Sequence, residues 1–133
     1  MAEVKLLERV LKANEVWAEE IRALFRERRI FCVNLIGSPG SGKTTLLEKS
    51  IPHLGDPLSL AVIEGDLATT RDADRIGRCG VDSIQIATGT GCHIDAHHVR
   101  QALDRIGLDK RRMVFIENVG NLVCPAQFDI GEH

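Results

Sequence analysis

The sequence predicts an α/β fold: a layered sheet of mainly parallel strands with helices on its faces. Short apolar runs rich in β-formers, at Ile30–Ile36, Leu60–Ile63, Ser83–Ala87 and Met113–Ile116, alternate with helical segments at 43–50, 72–78 and 95–106. Strands alternating with helices imply parallel pairing through crossovers. The runs are continuously apolar, as strands covered on both faces are. The first run also ends in a glycine-rich stretch that opens directly into the first of these helices.

Residues 1–28 come first and are expected to form an amphipathic helix. Val4, Leu7, Leu11, Trp17, Ile21, Leu24 and Phe25 fall near helical spacing, with Glu, Lys and Arg between them. Such a helix either packs on the domain or docks a partner. The remainder, 29–133, reads as one domain, since 133 residues are too few for two cores.

Composition narrows the function. Seventeen Lys and Arg against nineteen Asp and Glu give a net charge of −2, so no cation excess exists to displace phosphate counterions from nucleic acid. No apolar run approaches the ~18 residues of a membrane span, and no signal-peptide pattern follows Met1, so neither nucleic acid nor membrane is an expected partner and the cytoplasm is the expected location. Four cysteines at 32, 79, 92 and 124, none in a CxxC pair, do not form a disulfide framework or a zinc finger. Cys32 lies within a strand and reads as a core thiol; Cys79 has no evident partner.

Gly37-Ser38-Pro39-Gly40-Ser41-Gly42-Lys43-Thr44 matches G-x-x-x-x-G-K-[ST] at every position, between a strand and a helix. Glycines let the backbone N–H groups wrap a phosphate, and the helix adds the positive end of its dipole. Residues 37–45 are thus the expected nucleotide cradle, with Thr45 at its helical end. Lys43 is expected on the β- and γ-phosphates and the Thr44 hydroxyl on Mg²⁺. The predicted fold is therefore that of a P-loop nucleoside triphosphatase. Such a site needs a carboxylate from another strand. Glu117, ending the run Met113–Ile116, supplies it, and Gly120 completes an E-x-x-G element whose N–H is placed to sense a γ-phosphate. Asp66, just past the second run, is the further candidate for magnesium or for orienting water, with Thr69 or Thr70 closing over the phosphates; a turn-capping Asp is the alternative. Asp72 and Asp74 read as helix-start residues, and Arg71, Arg75 and Arg78 as a solvated helix face.

Cys92-His93 follows the third strand and Cys124 lies seven residues beyond Glu117. Loops at the carboxyl ends of parallel strands share one edge, so Gly37, Asp66, Cys92, Glu117 and Cys124 are expected there together. Two thiolates and an imidazole suit Zn²⁺ or Ni²⁺. His97, four residues after His93, adds a further ligand if the helix starts early enough.

The stretches NLIGSPGSGKTTLLE, AVIEGDLATTRDADRI, TGTGCHIDAHHV and FIENVGNLVCPAQFDIGE, spanning 34–132, closely resemble the hydrogenase nickel-incorporation GTPases of HypB type, within the P-loop metallochaperone GTPases. The resemblance implies slow GTP hydrolysis, a nucleotide-dependent homodimer, and nickel delivery to the hydrogenase large subunit with maturation partners. It implies a metal site at the dimer interface on residues matching Cys92, His93 and Cys124. Some members begin with a cysteine-rich nickel motif; residues 1–28 hold no cysteine, so none is expected in them. The family's guanine-reading [NT]KxD element and last strands would lie beyond His133, so the expected sheet is incomplete at that end. GTP rather than ATP therefore rests on the resemblance. The alternatives are a urease-type accessory GTPase, which the Val-Cys-Pro after Glu117 disfavours, a small-molecule P-loop kinase, and a non-catalytic metal-storage or docking module.

Overall fold

A computed structural model describes residues 2–65, 70–87 and 93–133. The chain runs α1 (Ala2–Arg28), β1 (Phe31–Leu35), α2 (Lys43–Ser50), β2 (Leu60–Glu64), α3 (Thr70–Gly77), β3 (Asp82–Gln85), α4 (Ala96–Ile106) and β4 (Met113–Glu117). Single 3₁₀ turns lie at Ile51–His53, Pro57–Ser59 and Pro125–Gln127. The four strands pair in parallel in the order β1-β4-β2-β3. The α/β class and its parallel strands are as the sequence predicts, and only the element ends shift.

Alternation along the strands builds two apolar layers, because successive side chains point to opposite faces. Cys32, Ala61, Ile63, Val114 and Ile116 face α1 and α4 through Ala18, Ile21, Phe25, Val99 and Leu103. Leu60, Val62 and Phe115 face α2 and α3 through Leu47 and Ile76. β3 is the partly exposed edge strand. At the other edge, the His133 N–H donates to the Cys32 carbonyl at 3.1 Å and the Cys32 N–H to His133 Nδ1 at 3.0 Å.

The second half of α1 packs in this core, with Ala18, Ile21 and Phe25 fully buried, while Val4, Leu6, Leu7 and Val10 stay exposed. Asn14 anchors the junction: its Oδ1 accepts from the Ala96 N–H at 2.8 Å and its Nδ2 donates to the Asp129 carbonyl at 2.7 Å. Among the described residues, no helix is long and apolar enough to cross a membrane.

β4 lies between β1 and β2, and this order positions the site. Leu35, Glu64 and Glu117 stand side by side in register at the carboxyl ends of three neighbouring strands. The loop that continues from Leu35 therefore passes beside Glu117.

Candidate functional site: the phosphate loop and its carboxyl edge

The loop between β1 and α2 turns through two left-handed glycines, Gly40 (φ +75°) and Gly42 (φ +99°). A side chain disfavours that conformation, so the motif's glycines are conformational requirements. Gly42 is the N-cap of α2 and makes no side-chain cap hydrogen bond. Lys43 is buried, and its Nζ donates to the Gly37 carbonyl at 3.0 Å and the Ser38 carbonyl at 3.3 Å. The ammonium is thus held over the concave side of its own loop.

Thr44 Oγ1 donates to Glu117 Oε1 at 2.6 Å. Glu117 is 3% exposed, and burying a carboxylate among apolar strands is costly unless it serves a ligand or a partner. A hydroxyl and a carboxylate side by side are the hard oxygen donors that Mg²⁺ takes, so the pair fits that ion. Residues 40–45, Asp72, Arg75 and Glu117 line one cavity of about 210 Å³.

Gly120 closes on the loop from the other side. A Cβ there would lie 2.9 Å from Pro39 Cγ and 3.1 Å from the Pro39 nitrogen. Only a residue without a side chain lets the segment after Glu117 rest on the phosphate loop. Asn118 fastens that segment: it is fully buried, its N–H donates to the Leu35 carbonyl at 3.0 Å, and its Nδ2 donates to Asn34 Oδ1 at 3.1 Å.

Asp66, Thr69 and Cys92 lie outside the described residues, as does the side chain of Thr70. Of the metal candidates, His93 stacks on Phe128 with ring centroids 3.8 Å apart and planes 11° apart. Cys124 caps the turn that leads to Phe128, its N–H donating to Asn121 Oδ1 at 3.2 Å. The segments bearing His93 and Cys124 are therefore in contact. Burial holds the His93 imidazole below its ordinary pKa, against the opposing pull of Asp95, which favours the neutral form that ligates. The helical i+4 relation between His93 and His97 does not arise, because α4 starts at Ala96 with Asp95 as N-cap. Both histidines nonetheless line one cavity of about 470 Å³ with Trp17 and Phe128, His97 lying 4.7 Å from the Trp17 ring. Among the described residues, no three His, Cys, Asp or Glu side chains gather as a metal-holding group. Cys32 is buried in β1, and burial pushes its thiol far above the ordinary range. It is a core thiol, as its strand position predicts. Cys79 has partners after all: its thiol reaches the Arg75 and Glu48 carbonyls at 3.6 and 3.9 Å.

Sequence reasoning missed three features. Glu64, the neighbour of Glu117 in register, is 1% exposed at the end of β2; an acid ending an apolar run was its signal. Asp72, in the first turn of α3 as expected, also lines the phosphate cavity, and so does Arg75, which the sequence placed on a solvated face. Phe128 as a platform for His93 left no trace in local spacing.

Comparison with known proteins identifies relatives over most of the chain. The family model "CobW/HypB/UreG, nucleotide-binding domain" matches residues 31–130. The hydrogenase maturation factor HypB of Azotobacter chroococcum is 53% identical over 130 residues, covering 97% of this chain and 42% of that protein. The HypB of Escherichia coli K12 is 52% identical over 123 residues, covering 92% and 42%. The crystal structure of HypB from Archaeoglobus fulgidus superposes with a TM-score of 0.84 at 38% identity, over 92% of this chain and 60% of that one. HypB from Helicobacter pylori, solved in complex with nickel, gives 0.80 at 40% identity, over 90% and 57%. The chain spans about two fifths of the length of these two curated relatives.

Proposed function

The chain belongs to the CobW/HypB/UreG nucleotide-binding domain family, and on that premise we propose that it is the nucleotide-binding part of a GTPase that handles nickel during hydrogenase maturation. The observation that carries the nucleotide half is the Thr44–Glu117 pair, set at 2.6 Å beside the buried Lys43 in one cavity. The glycine-framed loop and the N-terminus of α2 receive the phosphates through backbone N–H groups. Lys43 turns from the Gly37 and Ser38 carbonyls to the β- and γ-oxygens. Thr44 and Glu117 hold Mg²⁺, which when bound neutralises charge developing on the transferring phosphoryl group. Asp66 is assigned to that ion or to the attacking water. Guanine as the base follows from the family.

The metal half rests on residues and relatives together. Cys92, His93 and Cys124 are proposed as the nickel or zinc ligands, with His97 as a further candidate. The stacking of His93 on the segment that starts at Cys124 supports their proximity. A nucleotide-dependent homodimer, slow turnover, a hydrogenase maturation partner with the hydrogenase large subunit as final recipient, and a cytoplasmic location complete the proposal. The family assignment leaves the small-molecule kinase without support.

The test is Lys43→Ala in the full-length protein. Loss of one charged contact to phosphate is worth ~1.5–3 kcal/mol, so GTP affinity is expected to fall by about 10- to 150-fold. Circular dichroism should stay unchanged. Unaltered GTP binding and turnover in a folded variant would refute the assignment.

A further inference from the structure

Two of the three guanidinium nitrogens of Arg75 bind the phosphate-loop helix. Its Nε donates to Glu48 Oε2 at 2.9 Å, and its Nη2 to Glu48 Oε1 at 3.3 Å and Thr45 Oγ1 at 3.0 Å. Its Nη1 lies 3.8 Å from Asp72 Oδ1, one turn earlier on α3. The fork geometry matters, because a planar guanidinium on a carboxylate fixes an orientation that a single contact does not. Both side chains are about two-thirds covered, at 28% and 32% exposure. The same pairing lowers the Glu48 pKa and raises that of Arg75.

The clip is not what keeps α3 on the body. Ile76 is fully buried against Leu47 and Val62, and that apolar anchor holds the helix in place. What Arg75 adds is direction: it sets how the first turn of α3, with Asp72, stands over the cavity that both residues line with residues 40–45 and Glu117. The clip also stands at a particular end of that cavity. Thr44 and Glu117 are the residues that would hold Mg²⁺, which would supply charge neutralisation at the transferring phosphoryl group, so the pair marks the end of the cavity where the terminal phosphate belongs. Arg75 stands by that pair: it lines the same cavity, and its guanidinium feels the Glu117 charge.

We propose that Arg75 is a positioning residue that makes the site select a nucleoside triphosphate over the diphosphate: by clipping α3 to Glu48 and Thr45, it fixes the wall against which the terminal phosphate sits. The inference rests on the nucleotide reading above. Arg75 acts through its pairing with Glu48 and not as a ligand of the phosphate.

The experiment compares wild type, Arg75→Ala, Glu48→Ala and the swap Arg75→Glu with Glu48→Arg, all in the full-length protein. Affinities for GDP and a non-hydrolysable GTP analogue with Mg²⁺ are measured by displacement of a fluorescent nucleotide, alongside melting temperatures. Each single variant is expected to lose about tenfold in affinity for the GTP analogue, the scale of one charge-assisted contact, and under about twofold for GDP. The swap rebuilds an ion pair while removing the cation from position 75, and it is expected to restore selectivity. Equal losses for both nucleotides would overturn the proposal in favour of a merely structural role. A folded swap variant as unselective as Arg75→Ala would overturn it in favour of direct phosphate contact. Wild type that binds neither nucleotide would refute the nucleotide reading itself, whereas wild-type binding with an unchanged Arg75→Ala variant refutes the clip alone.

Discussion

Thr44 and Glu117, 73 positions apart in the chain, meet through a 2.6 Å hydrogen bond at the mouth of the phosphate cavity. Their meeting is a consequence of strand order. Because β4 pairs directly with β1, the end of one strand delivers a carboxylate to the loop that leaves the other.

This pair gives the first prediction. Thr44→Ala and Glu117→Gln are each expected to weaken nucleotide binding by about 10- to 100-fold in Mg²⁺, the value of a charged contact, and by much less in EDTA. Calorimetric titration under the two conditions reads the difference. Equal loss with and without magnesium would assign the pair a structural role.

Gly120 gives the second. Added as Gly120→Ala, a methyl group would meet Pro39 at 2.9 Å, so one of the two segments must retreat. Cys124 lies four residues further along the same segment. A nucleotide that reorders the loop is therefore expected to alter metal affinity, and metal must alter nucleotide affinity by the same factor, commonly 5- to 150-fold or ~1–3 kcal/mol. Titrating Ni²⁺ with GDP and with a GTP analogue, while following association state, should show that coupling in wild type and its reduction in Gly120→Ala. Identical metal affinities and association states in wild type with both nucleotides would leave two independent sites.

Metal binding is expected to be lost in Cys92→Ser and Cys124→Ser and kept in Cys32→Ser, by equilibrium dialysis with Ni²⁺ and Zn²⁺. The pH dependence has a definite sign. Burial holds His93 below its ordinary pKa, which favours its neutral, ligating form. The thiols must still lose protons to bind, so affinity should rise as pH rises through the ordinary thiol range. A Cys32→Ser variant that loses metal as Cys92→Ser does would show the ligands to be misassigned.

Phe25 tests the role of α1. It is fully buried in the layer shared by α4, β2 and β4, and Phe25→Ala is expected to cost ~3–5 kcal/mol in chemical denaturation. Val4→Ala, at an exposed position, should change stability by under about 0.5 kcal/mol. A Phe25→Ala variant as stable as wild type would mean that α1 only rests on the domain.

Local patterns alone carry the fold class, the phosphate loop with its lysine, and the carboxylate at the end of a strand. Each is a local pattern: apolar runs report burial, the glycines at 40 and 42 report left-handed backbone, and an acid after an apolar run reports a site at a strand's end. Cys32 as a core thiol was legible for the same reason. What only the tertiary structure decided is which distant residues touch. Strand order places Glu117 rather than any nearer acid on Thr44. The docking of α3 turns Arg75 from an apparent solvated charge into a clip on Glu48, and the start of α4 at Ala96 removes the helical link between His93 and His97 while Phe128 supplies the platform for His93. Periodicity records the face a residue presents, and it carries no record of which neighbour that face will meet.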